Sequence, residues 1–394
     1  MSNLIVLYNP HIDDFLGTPF HFLMLRRTAL KKYGFLIPAI IKYQDKLLIY
    51  IDGNHSILIP AKLFKLLPEI FRLFICKFEY GIWRWINNIK KYKIIHEYEI
   101  ESKSYLLFAF SYKLATGDFS NTVDVLKKFK TIVFHLSHYG IATREKSENI
   151  RKLNNVRLAG DSDISSNYYF NEFFQWYKED FLVLPFAVKE RFRTSKDFCF
   201  RLDKCLAVGT VHDLSKEKPA SLYADYILTT GKYAYHSVRK DIYDNRINLS
   251  NEFHSIISMY KDYDNNFFYM AKILHIFVRQ QRYFAIDIVE QYNNYRFAIV
   301  AEEEIGFPAL GMFEAMACGC VVFADPTRIL GLNFIPYVDY IPYDGSLSGL
   351  LNSLNESNTR DDLSNISINA KSKVIKNFNE DSVSLHWINT LANL

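Results

Sequence analysis

The segment from Tyr295 to Ala324 leaves the chain little choice of architecture. Tyr295-Arg296-Phe297-Ala298-Ile299-Val300-Ala301 is an apolar run of strand length that stops at consecutive acids, Glu302, Glu303 and Glu304. Ile305-Gly306-Phe307-Pro308 then breaks the pattern, and Leu310 to Ala317 reads as a helix ended by Gly319. A second apolar strand follows, Cys320 to Ala324. Strand, crossover helix and strand in so short a span make a parallel βαβ unit, whose sheet needs helices on both faces. An open α/β sheet is therefore expected.

The N-terminal half repeats this alternation. Leu4 to Tyr8 reads as a buried first strand that ends at Asn9-Pro10, before a loop with Asp13, Asp14 and Gly17. A helix from Phe20 to Tyr33 carries Arg26, Arg27, Lys31 and Lys32 toward its C-terminal end, where the helix dipole favours cations. Phe35 to Ile41, Lys46 to Ile51, Thr131 to Phe134 and Val156 to Gly160 read as further strands. A second half opens with the strand from Lys204 to Val208, ending in Gly209-Thr210. Helical patterns fill most of 250–292, and a last helix covers about Asp381 to Leu394. At roughly 150 residues per domain, a chain of 394 residues should form two domains. They are expected at 1–185 and 203–378, with 379–394 as a terminal helix.

Composition narrows the function classes. The chain is 49% hydrophobic and 23% charged, which excludes a disordered, collagenous or coiled-coil protein. Its net charge of +4 is too small for a dedicated nucleic-acid binder. Five cysteines, an odd number with no C-x-x-C, suit a reducing compartment better than a disulfide framework. The N-terminus lacks the positive region of a secretory signal, and no apolar run approaches the ~18 residues of a membrane span. The expected location is the cytoplasm, dissolved or lying on a membrane. The segment 62–93 bears on that choice. Lys62, Lys65, Arg72, Lys77, Arg84, Lys90, Lys91 and Lys93 are opposed only by Glu69 and Glu79, and interleave with Phe71, Phe74, Phe78, Trp83 and Trp85. Two readings are open: a surface for an anionic membrane, or amphipathic helices packed on the sheet with a solvated lysine face.

The chemistry concentrates at Glu304-Ile305-Gly306-Phe307-Pro308-Ala309-Leu310-Gly311 and at Glu314 beyond it. Gly306 and Gly311 would let a ligand approach the backbone. Unpaired N–H groups at the helix start, near Leu310, suit a phosphate. Glu314 could accept hydrogen bonds from sugar hydroxyls. Such a loop at the carboxyl end of a strand is where open α/β sheets bind ligands. The run through Phe313-Glu314-Ala315-Met316-Ala317-Cys318-Gly319 resembles the donor-site signature of GT-B glycosyltransferases, in particular the large retaining family four.

That resemblance implies two Rossmann-like domains facing across a cleft, with a C-terminal helix crossing back to the N-terminal domain. It implies a nucleotide-sugar substrate held by Gly306, Phe307, Pro308, Leu310, Gly311 and Glu314, with Glu304 near the anomeric centre. No bound metal and no further cofactor are implied, so basic groups and a helix N-terminus must neutralise the leaving diphosphate. Nine residues separate Glu304 from Glu314, more than the family's usual spacing, and Gly306 stands where its first Glu would fall. Gly209 is followed by Thr210 where the family has Arg. Lys216, Lys218 and Arg239 are the remaining candidates for the diphosphate. His138, at the end of the strand from Thr131, resembles the family's histidine that faces the sugar, and Gly17 could admit donor or acceptor.

Other chemistry is weakly signalled. Asp161-Ser162-Asp163 matches a D-x-D metal motif, yet that reading leaves 304–324 unexplained. His135 and His138 have no Cys or third His at zinc spacing. P-loop and G-x-S-x-G motifs are absent. The expected activity is glycosyl transfer from a nucleotide sugar to a hydroxyl of a glycan or lipid-linked acceptor, in capsule or O-antigen assembly. A non-catalytic scaffold of such an assembly and a nucleotide-sugar 2-epimerase are the alternatives.

Overall fold

The computed structural model describes residues 3–13, 15–17, 32–56, 59, 61–100, 104–110, 123–137, 139–215, 217, 221–260 and 286–394. The chain divides into two compact units. The first comprises Met1–Gly160, Phe173–Leu184 and Ser384–Leu394; the second comprises Asp161–Glu172 and Pro185–Val383.

The first unit is built on seven parallel strands: β1 (Leu4–Tyr8), β2 (Leu47–Tyr50), β3 (Tyr92–Ile94), β4 (Tyr105–Phe110), β5 (Thr131–His135), β6 (Val156–Gly160) and β7 (Leu182–Val183). Their order is β3-β2-β1-β4-β5-β6-β7. Every residue of β2, β4 and β5 is buried, so these strands are nearly continuous apolar runs, interrupted only by Thr131 and His135 at the ends of β5, rather than alternating. The core of this unit is aromatic. Trp387 is fully buried and lies 5.4 Å from Tyr33, 5.5 Å from Phe108 and 5.6 Å from Phe35 between ring centroids. His135 stacks on Trp387 at 5.4 Å, and its ring nitrogens meet Ser137 Oγ at 2.9 Å and the Leu184 carbonyl at 3.0 Å.

One sequence expectation, the strand from Phe35 to Ile41, gives way here. Leu36–Gln44 is a helix, α1, and not a strand. Its buried residues Leu36, Ile37 and Ile40 follow helical spacing, and Pro38 sits in the first turn, where a missing N–H costs nothing. The helix expected at Phe20–Tyr33 lies almost wholly outside the described residues.

A longer helix, α2 (Glu69–Ile86), buries Cys76, Glu79, Tyr80 and Trp83. Its other side is apolar as well: Ile70 is 75% exposed, Phe74 68% and Trp85 80%, with Phe71 and Phe78 also exposed. Among the described residues no helix is long and apolar enough to cross a membrane.

The second unit carries a five-stranded parallel sheet in the order β10-β8-β12-β13-β14 and a two-stranded pair, β11-β9. The strands are β8 (Leu202–Ala207), β9 (Thr210–His212), β10 (Phe253–Ser255), β11 (Ser258–Tyr260), β12 (Tyr295–Ile299), β13 (Val321–Ala324) and β14 (Ile341–Pro342). Residues 253–260 were expected to be helical. They form β10 and β11 because Phe253 pairs with Cys205 and Ser258 with Thr210, and three-residue strands are too short to display a period. The helices used below are α3 (Ser237–Asp244), α4 (Leu310–Ala317), α5 (Leu363–Asn377) and α6 (Glu380–Ala392). Phe297, Ile299 and Phe323 meet Val238 and Ile242 of α3 and Ile366 of α5 in one core.

Trp387 has no equivalent filler, so Trp387→Ala should cost about 3–5 kcal/mol. Chemical denaturation followed by near-ultraviolet circular dichroism checks this; an unshifted midpoint would refute the packing role.

Candidate functional site

The three acids after β12 have three different environments. Glu302 turns inward and is 7% exposed. Its Oε1 accepts the Asp325 N–H at 3.0 Å and its Oε2 accepts the Tyr343 hydroxyl at 2.7 Å. Burial pushes its carboxyl up to about 7, against the pull of the Tyr343 hydrogen bond. Glu303 closes the turn through its backbone: its N–H donates to the Phe307 carbonyl and its carbonyl accepts the Gly306 N–H, both at 2.9 Å. Glu304 faces a polar cluster. Its carboxylate accepts the Ser237 hydroxyl and lies 3.6 Å from Arg328 Nη2. Its N–H donates to the Tyr235 carbonyl at 2.7 Å, and its carbonyl accepts Arg328 Nη1 at 2.8 Å.

Gly306 adopts φ +110°, and a Cβ there would stand 2.9 Å from Ile164 Cγ2 and 3.0 Å from Asn167 Nδ2. A Cβ on Gly311 would meet the Tyr292 hydroxyl and Val300 Cγ1, both at 2.9 Å. Protein atoms thus fill the space that both glycines free. Phe307 and Pro308 are buried, whereas Leu310 is only partly so. Ala309 precedes α4 without a side-chain cap, and no acid lies in the first turn. The first amides of α4 therefore keep the partial positive charge that suits an anion.

Glu314 lies farther along α4 and answers to other charges. It keeps some solvent contact, but protein packs densely around its carboxyl. That burial pushes it up to about 7, opposed by Arg191 and Lys189. Beside Lys189 a cavity of about 450 Å³ is lined by Arg193, Ala317, Asn379, Glu380 and Asp381, among others.

Arg239 is buried and bridges two strand ends: Nη1 donates to the Thr210 carbonyl and Nη2 to the Ala301 carbonyl, both at 2.8 Å. It lies directly over Gly209, where a Cβ would come within 2.4 Å of Cζ. The structure thus brings Gly209, Arg239, Glu304 and Gly306 to one end of the sheet. Gly17 is buried in the first unit at φ +85°. Lys216, Lys218 and His138 lie outside the described residues. Asp163 uses Oδ1 to accept the Ser165 N–H at 2.9 Å, a turn-forming role.

Sequence reasoning missed Arg328. It sits on the short turn after β13, 3.3 Å from Asp325 Oδ2 and paired with Glu304. A basic residue just past a strand end was the available signal. Tyr168 was also missed: burial and the Glu304 carboxylate push its hydroxyl above the ordinary range.

No protein-family model matches the chain, and no curated protein matches its sequence. Solved structures do match. The sucrose-phosphate synthase of Thermosynechococcus elongatus aligns at TM-score 0.51 and 12% identity over 98% of each chain. The Anabaena protein HepE, solved with UDP and glucose, aligns at TM-score 0.49 and 12% identity over 100% of both chains. A glycosyltransferase from Rickettsia africae aligns at TM-score 0.49 and 10% identity, over 100% of this chain and 98% of that one. At such identities the likeness is one of fold: the chain has the GT-B glycosyltransferase fold, with two Rossmann-like domains.

Glu302 makes a pH prediction. Its carboxyl is raised in the folded state, so its contribution is fully present below the unfolded value and is lost as pH rises through about 7. Glu302→Gln should remove up to about 1.4 kcal/mol per pH unit of declining stability over that window. Melting temperatures measured from pH 4.5 to 8 check it; identical slopes in the two proteins would refute it.

Proposed function

We propose that the chain is a glycosyltransferase that moves a sugar from a nucleotide-sugar donor to a hydroxyl of a glycan or lipid-linked acceptor. The observation that carries this reading is the turn from Glu302 to Gly311, fixed at the carboxyl end of β12 in a GT-B fold. In the reaction the acceptor oxygen bonds to the anomeric carbon, the bond from that carbon to the diphosphate breaks, and the nucleoside diphosphate leaves, the acceptor's hydroxyl proton passing to the departing phosphate oxygen or to solvent. The first amides of α4 would offset its negative charge without a metal, while Arg328, engaged by Glu304 and Asp325, would hold Glu304 in place. Glu304, oriented by Ser237 and Arg328, would face the transferred sugar, and Glu314 would accept donor hydroxyls. Retention of configuration follows the resemblance of 304–319 to the retaining family.

The exposed face of α2 supports work at a membrane. Soluble monomers rarely expose contiguous apolar patches of this kind. Ile70, Phe71, Phe74, Phe78 and Trp85 lie among Arg72, Lys77 and Arg84, a pairing that suits an anionic bilayer. A lipid-linked acceptor in capsule or O-antigen assembly fits that placement. The scaffold alternative draws on Thr210 replacing the family's Arg, and on Arg239 being engaged by backbone carbonyls.

The test of the donor site is a thermal-shift panel with UDP, GDP, CMP and ADP, with and without magnesium, then turnover of the matching nucleotide sugars. One nucleotide should raise the melting temperature without metal. Glu314→Ala and Arg328→Gln should each cut turnover about 100-fold or more, in line with removing one positioned charge or donor. Unchanged turnover in both variants would sink the assignment, and silence with every nucleotide would favour the scaffold. Membrane binding is checked separately by vesicle sedimentation. Phe74→Glu combined with Phe78→Glu should abolish binding to anionic vesicles; equal binding by wild type and variant would refute the α2 surface.

A further inference from the structure

The first unit gathers three metal-ligating side chains that the transfer chemistry does not use. His11 stands in the 3-10 turn Pro10–Ile12 directly after β1. Cys76 and Glu79 stand three residues apart on the buried side of α2, so both project from one face. One ligand atom from each of the three lies within 4.8 Å of the others. His11 Nε2 is 3.8 Å from Glu79 Oε2. That is too long for a hydrogen bond, yet close to the ~3.3–3.8 Å edge of a tetrahedron with zinc bonds of about 2.0–2.3 Å.

A second observation points the same way. His11 is fully buried, and among the described residues neither of its ring nitrogens has a hydrogen bond. Burying an imidazole with both nitrogens unsatisfied is costly, and native proteins seldom do it without a partner. Glu79 is already oriented: Ser56 Oγ donates to its Oε1 at 2.5 Å, which leaves Oε2 turned toward His11. Such a hydrogen bond behind a ligating carboxylate is the usual support of a metal centre. Cys76 Sγ donates to the His55 carbonyl at 3.0 Å, a bond that zinc binding would replace when the thiol proton leaves.

We propose that His11, Cys76 and Glu79 bind a zinc ion that clamps α2 to the loop after β1. One nitrogen, one sulfur and one oxygen make a ligand set that suits zinc and disfavours magnesium or calcium. Binding forms the three metal–ligand bonds, with water completing the tetrahedron, and releases the Cys76 thiol proton to solvent. All three ligands belong to the first unit and none is a residue proposed to hold the donor, so the ion's role is structural and compatible with metal-free transfer.

The experiment uses the full chain, purified without a histidine tag. Elemental analysis should find one zinc per chain, and removing it with a chelator should lower the melting temperature until zinc is restored. The apo protein loaded with cobalt should show a thiolate-to-cobalt charge-transfer band. Cys76→Ser should abolish that band, and His11→Gln should weaken zinc binding at least tenfold. The cobalt spectrum of the unaltered protein reads the site even if a variant fails to fold. Absence of the band, or zinc binding unaffected by both substitutions, would overturn the proposal.

Discussion

The carboxyl end of β12 is held in place by two buried ionisable side chains, a guanidinium and a carboxyl group. Arg239 spans the Ala301 and Thr210 carbonyls, and Glu302 reaches the Asp325 amide and the Tyr343 hydroxyl. Together they tie the end of β12 to its neighbours on either side. A parallel sheet leaves such strand ends without ladder partners, and side chains here supply the missing bonds. The turn that follows inherits this rigidity. Its closure from Glu303 to Phe307 and the left-handed Gly306 have a fixed base, so Glu304 is presented in one place rather than on a loose loop.

The fold was legible wherever one element carried its own signal. The β12–turn–α4–β13 unit was readable because its strands are apolar but for Arg296, its helix is bounded by Ala309 and Gly319, and three acids follow β12. Leu36–Gln44 was misread because a short apolar run has no phase: Leu36, Ile37 and Ile40 satisfy a buried strand as well as a helix. The strands β10 and β11 were hidden for the opposite reason, being defined by their partners Cys205 and Thr210 and not by any pattern of their own.

The candidate site was legible only in part, for a related reason. Gly306 and Glu304 are readable from the local order of strand, acids, turn and helix. Arg328 and Glu302 are not, since their roles depend on contacts with chain that is distant in sequence. Nothing in three adjacent glutamates says which one turns inward. The hydrophobic core decides it: Ala301 and Ile305 are buried on either side, and the sheet's end at Asp325 offers an amide only to Glu302.

The difference between Glu304 and Glu314 follows from the same geometry. Glu304 carries its counter-charge with it, because Arg328 and Ser237 occupy its carboxylate. Glu314 is opposed by Arg191 and Lys189, whose influence is weaker than the burial that raises it to about 7. Near neutral pH it is therefore balanced between its charged and neutral forms. A carboxylate in that state gains most from a ligand that brings hydrogen-bond donors, since each donor stabilises the charged form at a site where water cannot do so fully. Sugar hydroxyls are such donors. The closed turn from Glu303 to Phe307 takes up part of the nine residues between the two glutamates, so each acid sits in an environment of its own.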